Sequence, residues 1–234
     1  MRSQVKKKMQ VRIAMKYFTK KSLDFLKELE QNNDREWFHA NKSRFQNDLE
    51  VPFRDLIENL IDEFQAIDPK IVITAKEAIF RIYRDVRFSS DKSPYKTHMS
   101  AIISAGGRKN LIVPGFYVEL QKDKMMLYAG IYNPDTKTLE KIRYYIAEHG
   151  IEFKKLIADK DFVKVFGEIQ GEKSKIIPKQ FKEDAAEQPL LYNKAFYYMH
   201  EVPQKIVLGE DLISYLGASA AAAQKLNVFF RNAI

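Results

Sequence analysis

Phe116-Tyr117-Val118-Glu119-Leu120-Gln121, Lys122-Asp123-Lys124 and Met125-Met126-Leu127-Tyr128-Ala129-Gly130-Ile131-Tyr132 form the stretch whose reading decides the fold. Two runs rich in apolar and aromatic residues flank a connection centred on Asp123-Lys124, short enough for a tight hairpin. Such a pair is antiparallel, because a parallel crossover needs a dozen or more residues. Met99 to Ser104 reads as a preceding strand, joined through Gly106-Gly107 and a loop bearing Arg108 and Lys109, and Phe196 to Val202 reads as a later one. Gly106-Gly107 is read as a turn, since neither GxGxxG nor GxxxxGK[ST] occurs around it. The expected core is an antiparallel β-meander.

Helical spacing takes over on both sides. Leu23, Leu26 and Leu29 predict a first helix, capped by Thr19 or Ser22 and ending near Gln31. Asn33, followed three residues later by Glu36, predicts a capping box for a second helix whose apolar side carries Trp37, Phe38, Phe45 and Leu49. Trp37 is read as a core anchor. Pro52 is expected to end or kink that helix, and Phe53 to Phe64 carry a further one to about Ile67. Beyond the meander, Asn133-Pro134 is read as a cap with proline at the first helical position, for a helix stopped at Gly150. Phe153 to Phe166 predict a shorter helical pair closed by Gly167. Residues 168–189 read as an extended loop, and Leu212 to Leu216 with Leu226 to Phe230 as closing helices around Gly217. The sum is an α+β fold, an antiparallel β-meander sheet packed against several helices in a single domain spanning 18–234.

The charge balance separates the two ends of the chain. Of 39 Lys and Arg, eight fall in the first 21 residues, which hold none of the 31 acids; residues 22–234 therefore carry equal numbers of each sign. The pI belongs to a basic leader, residues 1–17, read as disordered or outside the domain. It lacks the apolar segment and cleavage site of a secretory signal. Zero cysteines exclude a disulfide framework and thiolate zinc sites and fit a reducing cytoplasm, where the protein is expected. No apolar run approaches the roughly 20 residues that span a bilayer, so no membrane partner is expected.

Polar chemistry is densest in Phe80-Arg81-Ile82-Tyr83-Arg84-Asp85-Val86-Arg87-Phe88 and on through Ser89-Ser90-Asp91-Lys92-Ser93-Pro94-Tyr95-Lys96-Thr97-His98. If Ile79 to Phe88 is a strand, Arg84 falls on the apolar face and needs a counter-charge, either Glu119 or a ligand anion. Arg81, Asp85 and Arg87 fall on the other face. Arg81, Arg84, Arg87, Lys92 and Lys96 against Asp85 and Asp91 leave a local surplus of +3. Guanidinium forks match phosphate or carboxylate, and Tyr83 and Tyr95 offer rings to stack on. The leading expectation is therefore binding of an anionic ligand, a phosphate-containing small molecule or nucleic acid, by Arg81, Tyr83, Arg84, Arg87, Lys92 and Lys96. A second reading pairs Asp85 with Arg87, and Asp91 with Lys92 or an arginine, as an internal network pinning the loop. A third makes the protein a metal-dependent phosphoester hydrolase in which Asp85 and Asp91 hold the ion and His98 is the acid or base. No HExxH, GxSxG or EF-hand pattern accompanies it, and no resident metal or cofactor is expected.

Phe25-Leu26-Lys27-Glu28-Leu29 with Asn32-Asn33-Asp34-Arg35-Glu36-Trp37-Phe38, followed by the Phe80 to His98 motif, resembles a family of microbial proteins known only as a domain of unknown function. Gly171-Glu172-Lys173 and Tyr132-Asn133-Pro134 fit the same pattern, and Tyr128-Ala129-Gly130 departs from its glycine-rich triplet. The resemblance implies a cytoplasmic single-domain protein whose body begins near Phe18. It supplies no activity and no catalytic residues.

Overall fold

The structure, a computed structural model, describes residues 15–234. Most of the basic leader thus lies outside the described residues, but Tyr17 is buried together with Phe18, so the packed body takes in the leader's last residue.

The chain opens with helix α1, Lys20–Gln31, entered at Thr19. Helix α2 is Arg35–Ala40. Its cap is Asp34 rather than Asn33: the Asp34 carboxylate accepts the Trp37 N–H at 2.8 Å, while Asn33 is used elsewhere. Helix α3, Lys42–Arg44, passes through a π-helical segment, Phe45–Glu50, into α4, Val51–Ile67. Pro52 does not end the helix. It has no N–H to give and its ring crowds the carbonyl four residues back, and the widened turn just before it, where the Val51 N–H reaches Gln46, accommodates that. Trp37 is half-buried against Phe25, its ring centroid at 5.6 Å.

A short helix α5, Ala75–Ala78, capped reciprocally by Thr74 and Glu77, leads toward the sheet. The strands are β1 Met99–Ile103, β2 Gly115–Leu120, β3 Met125–Ile131 and β4 Phe196–Val202. Among the described residues they form one antiparallel sheet in the order β1-β2-β3-β4, as the hairpin spacing required. The β2–β3 turn closes with the Gln121 N–H on the Lys124 carbonyl at 2.8 Å.

Between β3 and β4 lie α6 Thr136–Glu148, α7 Gly150–Ile157, α8 Lys160–Phe166 and α9 Lys182–Glu187. Asp135, not Asn133, caps α6. Asn133 is instead a turn residue with φ of 53°, and Gly150 starts α7 rather than merely stopping α6. The segment 168–189 is more ordered than a loop: Gln170 bridges Tyr197, Lys173 bridges Asn193, and α9 follows. After α10, Gln204–Val207, a single helix α11, Leu212–Asn232, replaces the two expected around Gly217. Gly217 is buried where α11 meets α4; a Cβ there would sit 2.9 Å from the Glu63 Cγ. Glycine serves close packing here, not a break.

The sheet has two unlike faces. Phe116, Val118, Leu120, Leu127, Ile131 and Tyr198 point into the core. Phe64 of α4 meets Phe116 at 4.7 Å and Phe230 of α11 meets Phe196 at 5.5 Å. The alternate residues, Ile102, Tyr117, Glu119, Tyr128, Tyr197 and Met199, lie on the opposite face, where they line a cleft in place of helices.

The strand expected over Ile79 to Phe88 is absent. Ile79 bridges Ala101 and Tyr83 bridges Tyr95 as isolated pairs. The chain advances four residues on one side between those bridges and six on the other, so the returning leg bulges at Thr97 and His98. Pro94 has no N–H for a ladder, and past it the side chains of Asp85 and Asp91 take backbone N–H groups that pairing would need.

Candidate functional site

The motif forms an irregular double leg ending in a charged tip. The legs are tied by the Arg84 N–H on the Pro94 carbonyl at 2.9 Å and the Lys96 N–H on the Ile82 carbonyl at 2.8 Å. At the tip, Arg87 grips Asp85 with Nε to Oδ1 at 2.9 Å and Nη2 to Oδ2 at 2.7 Å. That grip, with the Arg87 N–H, draws the Asp85 pKa down to about 2. Arg84 pairs with Asp91 across the legs and not with Glu119. Asp91 also accepts from Ser93, whose hydrogen bonds lead in holding its carboxyl well below the usual range, ahead of Arg84. The Lys92 Nζ donates to the Val86 carbonyl at 3.0 Å. Phe88, 96% exposed, stands at the very end.

The base of the loop is built into the body. Asn33 clamps Tyr95 from both sides: its Nδ2 donates to the Tyr95 carbonyl at 3.0 Å and its Oδ1 accepts the Tyr95 N–H at 3.1 Å. The Tyr95 ring stacks on Phe38 at 3.9 Å and is buried, so it is not offered to a ligand. Tyr83 leans on both rings and keeps about half its surface exposed. The two sequence motifs that carry the family resemblance therefore meet in space.

The structure does not gather Asp85, Asp91 and His98. Each aspartate holds a different arginine, and His98 faces Glu119 at 3.7 Å. Among the described residues no three His, Asp or Glu side chains stand close enough to share a metal ion.

What sequence reasoning missed is the open sheet face. It is the floor of a cleft of about 780 Å³, within the usual size of small-molecule sites. Tyr117, Tyr128 and Tyr197 line it from the strands, Phe80 from the motif, and Leu111 to Val113 from the β1–β2 loop. Glu119 is the one carboxylate among the described residues lining it. A signal was present: a solvated sheet face carries short polar and charged residues, whereas these strands alternate core residues with tyrosine and methionine.

Motif and cleft adjoin. The Lys96 Nζ lies 5.2 Å over the Phe80 ring, and burial, followed by the charge of Arg81, lowers its pKa. Among the described residues, neither Lys96 nor Arg81 has a carboxylate within ion-pair distance, in contrast to Arg84 and Arg87. Burial also lowers the His98 pKa, against the opposing pull of Glu119.

These features define an α+β protein whose antiparallel sheet is packed by helices on one face and opens into an aromatic cleft beside a basic loop on the other. The chain belongs to the conserved hypothetical protein family DUF2461, whose model matches residues 21–229. No curated protein matches it. Among the described residues no helix is long and apolar enough to cross a membrane.

Proposed function

We propose that the protein is a binding module for a small anionic molecule, a phosphate ester or a carboxylate in chemistry, held in the cleft with its anion against Lys96 and Arg81. The observation that carries this reading is Lys96, whose ammonium stands over the cleft-lining Phe80 ring, feels the charge of Arg81 and, among the described residues, has no carboxylate at ion-pair distance. A half-buried ammonium beside a guanidinium is held at a repulsive cost that an anion relieves. The largely apolar lining receives the rest of the molecule. Arg84, Arg87 and Lys92, expected from sequence to bind as well, are assigned to holding the tip in shape, because Asp91, Asp85 and the Val86 carbonyl occupy them. A small ligand is favoured over nucleic acid because residues 22–234 carry no net surplus of basic residues.

Calorimetric titration with inorganic phosphate and phenyl phosphate tests this. Phenyl phosphate is expected to bind more tightly than phosphate, to lose at least roughly tenfold in Lys96→Ala and in Arg81→Ala, and to bind Arg87→Ala as it binds the parent. Binding that ignores Lys96→Ala, or falls only with Arg87→Ala, refutes the assignment.

A further inference from the structure

The inner part of the cleft has a charge requirement of its own. Glu119 sits on β2 between Ser100 of β1 and Met126 of β3, and its side chain is only 15% exposed. Its carboxylate accepts the Tyr117 hydroxyl at 3.0 Å and the Gln121 Nε2 at 2.6 Å, both neutral donors. His98 stands at 3.7 Å, too far for a hydrogen bond, and burial favours its neutral form. Among the described residues, its hydrogen bonds thus come from neutral donors alone and the Lys96 charge acts on it without an ion pair, which leaves a largely desolvated carboxylate incompletely compensated.

The rings beside it are inclined rather than parallel. Phe80 and Tyr117 have centroids 6.1 Å apart at 53°, and Tyr117 and Tyr128 5.8 Å apart at 66°. Parallel walls would suit a flat ring; Tyr117 and Tyr128, inclined to each other and lining the same cleft as Glu119, offer aromatic surface to a cation held by that carboxylate. Ile102 and Met199 complete the floor with surface suited to methyl groups.

We infer that the cleft takes an organic ammonium group between Glu119 and the Tyr117 and Tyr128 rings, with Phe80 left to Lys96, so that the ligand is a short zwitterion. Its anionic half rests on the reading proposed above; its cationic half rests on Glu119 and the rings alone. The Lys96 Nζ lies 5.2 Å from the Phe80 ring, and Phe80 neighbours Tyr117, whose hydroxyl reaches Glu119, so the two ends of the ligand are a short span apart. Aminoalkyl phosphates and their N-methylated forms have this chemistry.

The test compares phosphocholine with 3,3-dimethylbutyl phosphate, which replaces the quaternary nitrogen by carbon at nearly constant shape, and adds choline alone. Calorimetry on the intact protein is expected to show phosphocholine binding roughly tenfold more tightly than the isostere. Glu119→Gln, which keeps an acceptor for the Tyr117 hydroxyl, is expected to abolish that preference; the wild-type comparison needs no variant. If the isostere binds as tightly as phosphocholine and both depend on Lys96, the ammonium inference is overturned while the anion reading stands. If choline binds in a Glu119-dependent way and Lys96→Ala and Arg81→Ala leave phosphocholine affinity unchanged, the anion reading falls and the ammonium site stands. Binding of none of the three overturns both.

Discussion

Asn33 shows how one side chain can join regions that are far apart in sequence. It is 62 positions from Tyr95 and satisfies both of that residue's backbone groups, leaving the capping of α2 to Asp34. Because Tyr95 is buried, removing the amide strands an N–H and a carbonyl away from water. Asn33→Ala is expected to cost about 1–3 kcal/mol in urea unfolding and to speed hydrogen exchange at the Tyr95 amide. Unchanged exchange there would show that the clamp does not hold the loop. From sequence, Asn33 looked like a cap because Asn-x-x-Glu is a local pattern; its actual partner lies across the fold, where local spacing carries no information.

Among the elements, β3 and α11 are interlocked at Gly130. The Asn227 side chain of α11 accepts the Gly130 N–H at 3.1 Å and the Tyr198 hydroxyl at 2.6 Å within the core. Gly130 has φ of +92°, and a Cβ there would come 2.2 Å from the Phe196 carbonyl oxygen. A side chain meets both a disfavoured backbone conformation and a backbone atom that cannot yield. Gly130→Ala is expected to destabilise by roughly 2–4 kcal/mol in thermal unfolding, and ligand binding in the cleft that Gly130 lines should weaken with it. The strands themselves were legible because short connections and alternation fix an antiparallel ladder. The segment 79–88 was not, since a bulge on the partner leg and side-chain capture of N–H groups broke a ladder that its own alternation implied.

Over the whole molecule, one apolar cluster runs from Tyr17 to Ala233, and the C-terminal end of α11 is fastened to the end of α4 by Arg231 and Asp68. Burial alone would raise the Asp68 pKa; hydrogen bonds from Arg231, Gln224 and the Lys70 N–H, with the charge of Arg231, bring it below its ordinary value. A depressed carboxylate pKa gives stability that is fully present above the unfolded value, about 3.9, and is lost as pH falls through the folded one. Arg231→Met leaves the buried carboxylate without its counter-charge, at an expected cost of about 3 kcal/mol at neutral pH. Burial then acts with less opposition and raises the Asp68 pKa, so protonation relieves the unpaired carboxylate and the stability gap between variant and parent should narrow as pH falls. Melting temperatures followed from neutral to acid pH check both effects; parallel curves for variant and parent would refute the linkage.

By itself the sequence determined the α+β class, the antiparallel order of the strands and the place where charge concentrates, because periodicity, turn length and composition are local properties. Its second reading, Asp85 with Arg87 and Asp91 with Lys92 or an arginine, contained the pairs that form, since those partners lie close along the chain. Only the tertiary structure decided that, among the described residues, Arg84 and Arg87 have carboxylates at ion-pair distance while Lys96 and Arg81 do not, that Glu119 faces His98 rather than Arg84, and that the tyrosine face of the sheet is a cleft. Each of these depends on which distant element covers a given surface, and covering is settled by how the helices pack on one face of the sheet and leave the other open.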